Sequence, residues 1–150
     1  MKVVIIDDEP LISDKLKRIM ETGLRGMHTV CAFTDAQMAL DYIEQEKPGV
    51  MLTDIRMPGI TGIDLAKQIN QMDYGAKIVF LTGYAEFEYA RYGIEYKVFD
   101  YLLKPVDEQK AIKCLNRAIS AFHAEQKHTE MYQIFQDYFV KNQELIRQQF

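Results

Sequence analysis

Short apolar runs alternate along the chain with segments in which apolar residues recur every three or four positions. The short runs are rich in β-branched residues and predict strands, whereas the three- to four-residue spacing predicts helices. The predicted strands are 2–6, 29–33, 50–53, 78–81 and 98–103. A helix should follow each strand, and the fourth of these helices should span 84–95. Strands that alternate with helices form a parallel sheet covered on both faces, so we expect a doubly wound α/β fold.

Polar side chains follow four of the predicted strands, at the point where each strand ends. Asp7 and Asp8 follow the first strand, Asp54 the third, Thr82 the fourth and Lys104 the fifth. Open α/β sheets bind their ligands at the carboxyl ends of the strands. We therefore expect these five side chains to converge on one crevice.

The three carboxylates in this set predict a magnesium site. Brought together, they would repel one another unless a cation lay among them. Hard oxygen ligands with room for water molecules suit Mg²⁺. Taken alone, Asp7, Asp8 and Glu9 would be interpreted as structural residues of the kind that cap helices. The presence of Asp54, Thr82 and Lys104 at matching strand ends favours the metal site.

Asp54 is the candidate nucleophile, because it directly follows a buried strand and is expected to be exposed on a loop. A carboxylate can attack phosphorus to form an aspartyl phosphate. Lys104 and the hydroxyl of Thr82 could stabilise the phosphoryl oxygens, since phosphoryl transfer depends mainly on positioning and charge neutralisation. On its own, Lys104 would be interpreted as a solvated surface lysine. The proline that follows it fixes the turn and favours a role in the site.

Four sequence blocks carry a resemblance to a known family. They are Asp7-Asp8, the segment 53–59 (Thr-Asp-Ile-Arg-Met-Pro-Gly), Thr82-Gly83 and Lys104-Pro105. In order and spacing they resemble the receiver domain of two-component response regulators, over residues 1–123. The resemblance implies a flavodoxin-like, five-stranded parallel sheet with strand order 2-1-3-4-5. It also implies a signalling switch that assists its own phosphorylation and dephosphorylation, not an enzyme acting on a separate substrate.

The resemblance further implies a role for each acidic residue of the site. Asp54 would be the phosphoacceptor, with Mg²⁺ as the cofactor. Asp8, Asp54 and the backbone carbonyl of Arg56 would be metal ligands. Asp7 would join them through water or as a second acidic ligand.

Two further pairs of residues take roles from the resemblance. Thr82 and Tyr101 would form a switch, in which Thr82 moves towards the phosphoryl group and the Tyr101 ring turns inward. Without the resemblance, Tyr101 would be interpreted as an ordinary strand aromatic. Arg56 and Tyr84 would tune the lifetime of the phosphoryl group, since both can obstruct the attacking water.

The expected partner is a sensor histidine kinase. Segments 81–90 and 100–106 resemble the YesN-like branch of the family, in which the receiver usually precedes an AraC-type helix-turn-helix domain. Nothing in this chain matches that second domain, so DNA would be bound by an absent part of the protein. The net charge of −4 and the lack of a basic run argue against DNA binding by these residues. The first apolar run is too short to cross a membrane, which predicts a cytoplasmic protein.

Two other functions are compatible with parts of the pattern. Metal-dependent phosphatases that resemble the haloacid dehalogenase group use an aspartyl nucleophile and a second Asp two residues later, where this chain has Arg56. A pseudo-receiver would act only as a dimerisation module. The presence of every acidic, Thr and Lys position argues against it, and a measured Mg²⁺ affinity would discriminate.

Aromatic residues are concentrated between the fourth and fifth strands. They are Tyr84, Phe87, Tyr89, Tyr92, Tyr96, Phe99 and Tyr101. They either form an interaction face or simply pack the edge of the sheet. A homodimer through the helix at 84–95 and the fifth strand is one consequence of the first interpretation.

Residues 124–150 are predicted to be a helical linker towards an absent output domain. Apolar positions and one asparagine recur there at alternating four- and three-residue steps, as in a coiled-coil seam. They are Met131, Phe135, Tyr138, Asn142 and Leu145. The segment either pairs with a second copy or packs back on the receiver. We expect helix from 107 to at least 145, with an interruption near 123–128.

Overall fold

The computed structural model describes residues 1–83 and 96–148, with side chains in the last helix described as far as Glu144. Five strands form one sheet with the order β2-β1-β3-β4-β5, and every neighbouring pair is parallel. The strands are β1 Lys2–Ile6, β2 Thr29–Phe33, β3 Val50–Asp54, β4 Lys77–Thr82 and β5 Asp100–Leu103. The predicted fold and strand order are confirmed.

Four helices lie within the described residues. They are α1 Pro10–Gly23, α2 Ala36–Glu46, α3 Gly62–Met72 and α4 Glu108–Gln148. The helix predicted at 84–95 lies outside the described residues. The same is true of four aromatic residues of that segment, Tyr84, Phe87, Tyr89 and Tyr92. The described aromatics of that segment, Tyr96, Phe99 and Tyr101, are half-buried and pack against the core.

The alternation of side chains along the strands builds a separate core on each face of the sheet. Val3 and Ile5 of β1 point into one cluster, which α1 and the first half of α4 cover. Val4 and Ile6 point into the other, which α2 and α3 cover. All four side chains are fully buried. Because β1 and β3 are buried on both faces, their carboxyl ends are held in fixed positions by packing.

Several predicted boundaries differ from the structure. β3 ends at Asp54, one residue later than predicted, and β4 extends one residue further at each end, over Lys77–Thr82. The fifth strand begins at Asp100, two residues later than predicted. The expected interruption at 123–128 is wrong, since α4 continues through it to Gln148. No Gly or Pro occurs between 108 and 148 to end the helix, and the Thr129 hydroxyl there donates to the carbonyl of Glu125 at 2.9 Å. In the described part of the chain, no helix has both the length and the apolar character that a membrane span requires.

Candidate functional site

The polar strand ends meet at one edge of the sheet. Carboxylate oxygens of Asp7, Asp8 and Asp54 lie within 4.8 Å of one another. β1 and β3 are neighbours with Ile6 opposite Thr53, so their next residues leave the sheet side by side. The predicted convergence of the three carboxylates is therefore present in the structure.

Lys104 lies between two of these carboxylates. Its Nζ is 3.2 Å from Oδ2 of Asp7 and 3.2 Å from Oδ2 of Asp54. Burial alone would lower the pKa of the lysine, but the charges of Asp54 and Asp7 outweigh burial and raise it. The backbone N–H of Lys104 donates to the carbonyl of Thr82 at 2.7 Å. This bond fixes the start of the lysine side chain against the end of β4.

Asp54 is buried, which corrects the expectation that it would be exposed: the residue is only 5% accessible. Its Oδ1 accepts a hydrogen bond of 2.9 Å from the backbone N–H of Ile55. Burial raises the pKa of the Asp54 carboxyl from 3.8 to about 6, with Lys104 opposing the shift and Asp7 adding to it. The carboxylate is thus held in an environment where its negative charge is incompletely compensated.

The loop after Asp54 returns tightly against the backbone at the end of β3. The N–H of Gly62 donates to the carbonyl of Ile55 at 2.8 Å, and a Cβ at Gly62 would lie 2.3 Å from the carbonyl oxygen of Asp54. Thr61 caps α3 through a capping box with Asp64. Sequence reasoning missed both roles. The Thr-x-x-Asp pattern at 61–64 is the signal that could have revealed the cap.

A divalent cation fits this site. Asp7 is completely buried, and its Oδ1 accepts from the N–H of Glu9 at 2.9 Å. Its Oδ2 is buried and has no well-oriented hydrogen bond among the described residues, although Lys104 Nζ is near. Asp8 is half-buried. Lys104 pairs with the carboxylates of Asp7 and Asp54, and the carboxylate of Asp8 adds a third negative charge beside them, so a hard cation would supply further positive charge.

The remaining predicted residues lie around this cluster. Arg56 is exposed in the loop between β3 and α3, and the ligand role of its carbonyl stays a prediction. Thr82 is buried at the end of β4. Tyr101 is paired with Phe80 across β4 and β5, with ring centroids 6.1 Å apart. Phe80 and Thr82 are two residues apart, so Thr82 and Tyr101 share one face of the sheet. The other predicted tuning residue, Tyr84, lies outside the described residues.

Comparisons with known proteins agree on one family. The sequence model for the response regulator receiver domain matches residues 3–116. The transcriptional regulatory protein HptR of Staphylococcus aureus is 41% identical over 118 residues, which cover 79% of this chain and 46% of that protein. An uncharacterised response regulatory protein of Staphylococcus epidermidis is 37% identical over 139 residues, covering 90% of this chain and 55% of the relative. The chain thus spans about half the length of these curated relatives.

Solved structures give the same result. A two-component transcriptional regulator AraC from Clostridium phytofermentans superimposes with a TM-score of 0.74 at 28% identity, covering 84% of this chain and 98% of that one. The receiver domain of AraT, a response regulator from Geobacillus stearothermophilus, superimposes with a TM-score of 0.70 at 27% identity. That match covers 85% of this chain and 97% of the other.

Proposed function

The chain belongs to the response regulator receiver family, and on that basis we propose that Asp54 accepts a phosphoryl group from a sensor histidine kinase in a Mg²⁺-dependent reaction. The observation that carries the proposal is the position of Lys104, whose Nζ lies 3.2 Å from the carboxylates of both Asp7 and Asp54. Because the Lys104 ammonium group lies beside the buried nucleophile Asp54 and its acidic neighbour Asp7, it is placed to neutralise the negative charge of a phosphoryl group on Asp54. The switch would operate in the cytoplasm.

Each side chain has a defined part in the transfer. A carboxylate oxygen of Asp54 attacks phosphorus, the phosphorus–nitrogen bond of the donor phosphohistidine breaks, and the imidazole leaves with the electron pair. Lys104 then neutralises charge on the phosphoryl oxygens, and the Thr82 hydroxyl donates to one of them. With a pKa of about 6, Asp54 is mainly ionised at neutral pH and therefore able to attack.

The metal would be held by Asp7, Asp8, Asp54 and the backbone carbonyl of Arg56. When bound, Mg²⁺ supplies positive charge to the carboxylates and to the phosphoryl oxygens. Asp7, Asp8 and Asp54 would hold the cation through their carboxylate oxygens, which lie within 4.8 Å of one another. Their incomplete compensation by one lysine supports this assignment.

Phosphorylation would be transmitted through Thr82 and Tyr101. Thr82 moves towards the phosphoryl group, and the ring of Tyr101 turns into the space that it leaves. Their positions on one face of adjacent strands support this coupling. Arg56 and Tyr84 would set how long the phosphoryl group survives, by obstructing water.

The output of the switch would be transcription. The chain covers about half of relatives such as HptR, whose name describes a transcriptional regulator. We assign residues 1–123 to the receiver and 124–150 to a helical linker that leads to an AraC-type DNA-binding domain. The match to the S. epidermidis protein leaves only a tenth of this chain outside, so it must extend into the linker. DNA contacts belong to the absent domain.

Receiver domains promote their own phosphoryl transfer, and we propose no reaction on a separate substrate for this chain. In an aspartyl phosphatase, a second carboxyl would protonate the leaving group two residues after the nucleophile. Arg56 occupies that position and has no proton to give at neutral pH.

The test is exposure to a small phosphodonor, acetyl phosphate, with Mg²⁺, followed by intact mass measurement. We expect a gain of one phosphoryl group that disappears with EDTA and in Asp54→Asn. The matched control is Asp14→Asn, which removes an exposed carboxylate from α1 and should be phosphorylated normally. Phosphorylation that persists in Asp54→Asn would contradict the assignment of Asp54, and none in the wild-type chain would contradict the function.

A further inference from the structure

Among the described residues, helix α4 contacts the receiver along its first half. Ala111, Leu115 and Ala118 are fully buried against the sheet. The last contacts described along the helix are an ion pair of 2.5 Å between Lys77 and Glu125 and a hydrogen bond of 3.0 Å from the Gln126 amide to the carbonyl of Tyr74. The 22 residues from 127 to the end of α4 at Gln148 therefore extend about 33 Å beyond the receiver.

This extension carries a dense set of exposed apolar side chains. Seven large hydrophobic residues between 131 and 140 are from 54% to 72% accessible. They are Met131, Tyr132, Ile134, Phe135, Tyr138, Phe139 and Val140. An apolar surface of this density on a single helix is unusual for a segment that stays in water, and a lone helix of this length is only marginally stable.

The apolar stripe faces away from the receiver. At about 100° per residue, the mean direction of Met131, Phe135 and Tyr138 lies roughly 160° around the helix from that of the buried residues Ala111, Leu115 and Ala118. A continuous helix cannot turn this stripe onto the sheet. The alternative that the segment packs back on its own receiver is therefore wrong for the described side chains, and a different surface must cover them.

We propose that the stripe pairs with the same segment of a second copy of this chain, in a parallel and in-register coiled coil. The seam consists of Met131, Phe135, Tyr138 and Asn142, at steps of four, three and four residues. The helix register then places Asn142 opposite its own copy, where two amides can bond to each other. An antiparallel pair would set the half-buried Asn142 against an apolar side chain, which costs free energy.

The geometry and the size of the stripe fit a second copy. Because the seam and the receiver lie on nearly opposite sides of α4, a two-fold axis along the seam places the two receivers on the outside, where they do not collide. Aromatic side chains bury about 150–250 Å² each, so the exposed fractions of the seam side chains leave on the order of 500 Å² to bury per copy. A pair would bury on the order of 1,000 Å², the lower limit for a specific interface.

This pairing goes beyond the proposed function and does not depend on it, since no residue of the seam is near Asp54. It would hold two output domains side by side at the ends of a rigid rod. The continuous helix α4 would connect each receiver directly to that rod.

Light scattering coupled to size exclusion, over a range of concentrations, tests the pairing on the whole chain. We expect the mass to rise from 17.5 kDa towards twice that value. Phe135→Glu or Tyr138→Glu should weaken the dimer at least tenfold. Val140→Glu is the matched control, because Val140 is similarly exposed but lies on the opposite side of the helix from the seam. A monomer at every concentration, or equal weakening by Val140→Glu, would overturn the proposal.

Disulfide trapping tests the orientation. Under mild oxidation, Tyr138→Cys should give a covalent dimer, whereas Val140→Cys and the unmodified chain, which has only Cys31 and Cys114, should not. A dimer in which Tyr138→Cys fails to cross-link, or in which Val140→Cys links equally well, would contradict the parallel register.

Discussion

Gly62 lies against the backbone of Asp54 so closely that a Cβ on the glycine would be 2.3 Å from the carbonyl oxygen of Asp54. The neighbouring atom is backbone at the end of a buried strand, so it cannot rotate away as a side chain could. The identity of residue 62 therefore helps to decide where the proposed nucleophile is held.

Gly62→Ala should destabilise the protein by about 3 kcal/mol, the upper end of the range for overpacking. A lower free energy of unfolding would be the opposite of the usual effect, because Gly→Ala within a helix normally stabilises by up to about 1 kcal/mol. Urea unfolding measures the loss, and the phosphorylation rate should fall with it. Gly83→Ala is the control, since a Cβ there would meet no atom of the described residues within 4 Å. Similar stability of the two variants would show that the contact at Gly62 is relieved cheaply.

Lys104→Ala should lower stability in EDTA at neutral pH by about 1–3 kcal/mol, because removal of the ammonium leaves two buried carboxylates facing each other. This loss is smaller than that expected for a fully buried pair, since the Lys104 side chain is 24% exposed. Saturating Mg²⁺ should recover part of the loss. Thermal unfolding with EDTA and with Mg²⁺ measures both effects.

The control for that experiment is Lys113→Ala, which removes an exposed lysine from α4. It should change the unfolding midpoint little under either condition. If Lys104→Ala behaves like the control in EDTA, the lysine does not compensate the two carboxylates.

The strand ends were predictable from sequence because apolar runs stop abruptly at polar residues, as at Ile6 before Asp7. Parallel topology then requires those ends to meet. The burial of Asp54 could not be predicted in this way, since it depends on the return of the chain at Gly62, a contact between two backbone segments. The position of the Lys104 ammonium group between Asp7 and Asp54 could not be predicted either, because it depends on the direction that the lysine side chain takes after β5.

In the C-terminal helix, too, some features could be predicted from the sequence and others could not. Its apolar spacing predicted the helix and the seam residues such as Phe135 and Tyr138. Whether these side chains face the receiver depends on how far the helix has rotated over the more than twenty residues that separate them from its buried start. The predicted interruption at 123–128 would have reset that phase, and its absence turns the stripe outward.

The raised pKa of Asp54 predicts that its charge destabilises the metal-free protein. The folded state binds the proton more tightly than the unfolded state, whose pKa is near 3.8, whereas the folded value is about 6. The Asp54 contribution to stability should therefore fall as pH rises from about 4 to about 6, and stay low above that range. Asp54→Asn keeps an acceptor for the Ile55 N–H and removes the charge. In EDTA it should be more stable than wild type by about 1–3 kcal/mol at pH 7.

Urea unfolding at pH 4, 5, 6 and 7 checks this behaviour. The advantage of Asp54→Asn should be small at pH 4 and should grow until about pH 6. Asp14→Asn, on the exposed face of α1, should show no such trend. An advantage for Asp54→Asn that is already complete at pH 4 would mean that charge is not its cause.

Asp8→Asn should weaken Mg²⁺ binding at least tenfold while Asp54 remains in place. Asp8 is half-buried and supplies one of the three carboxylates that lie within 4.8 Å of one another, so its loss removes one oxyanion and a full negative charge from the site. Since Mg²⁺ binds the folded state, it should raise the unfolding midpoint of the wild type in a concentration-dependent way. The midpoint of Asp8→Asn should require at least ten times more Mg²⁺ for the same rise.

Asp41→Asn, which removes an exposed carboxylate from α2, is the control for charge alone and should titrate as wild type does. Identical Mg²⁺ titrations for Asp8→Asn and wild type would exclude Asp8 as a ligand, and a matching loss in Asp41→Asn would show that the effect comes from net charge and not from coordination.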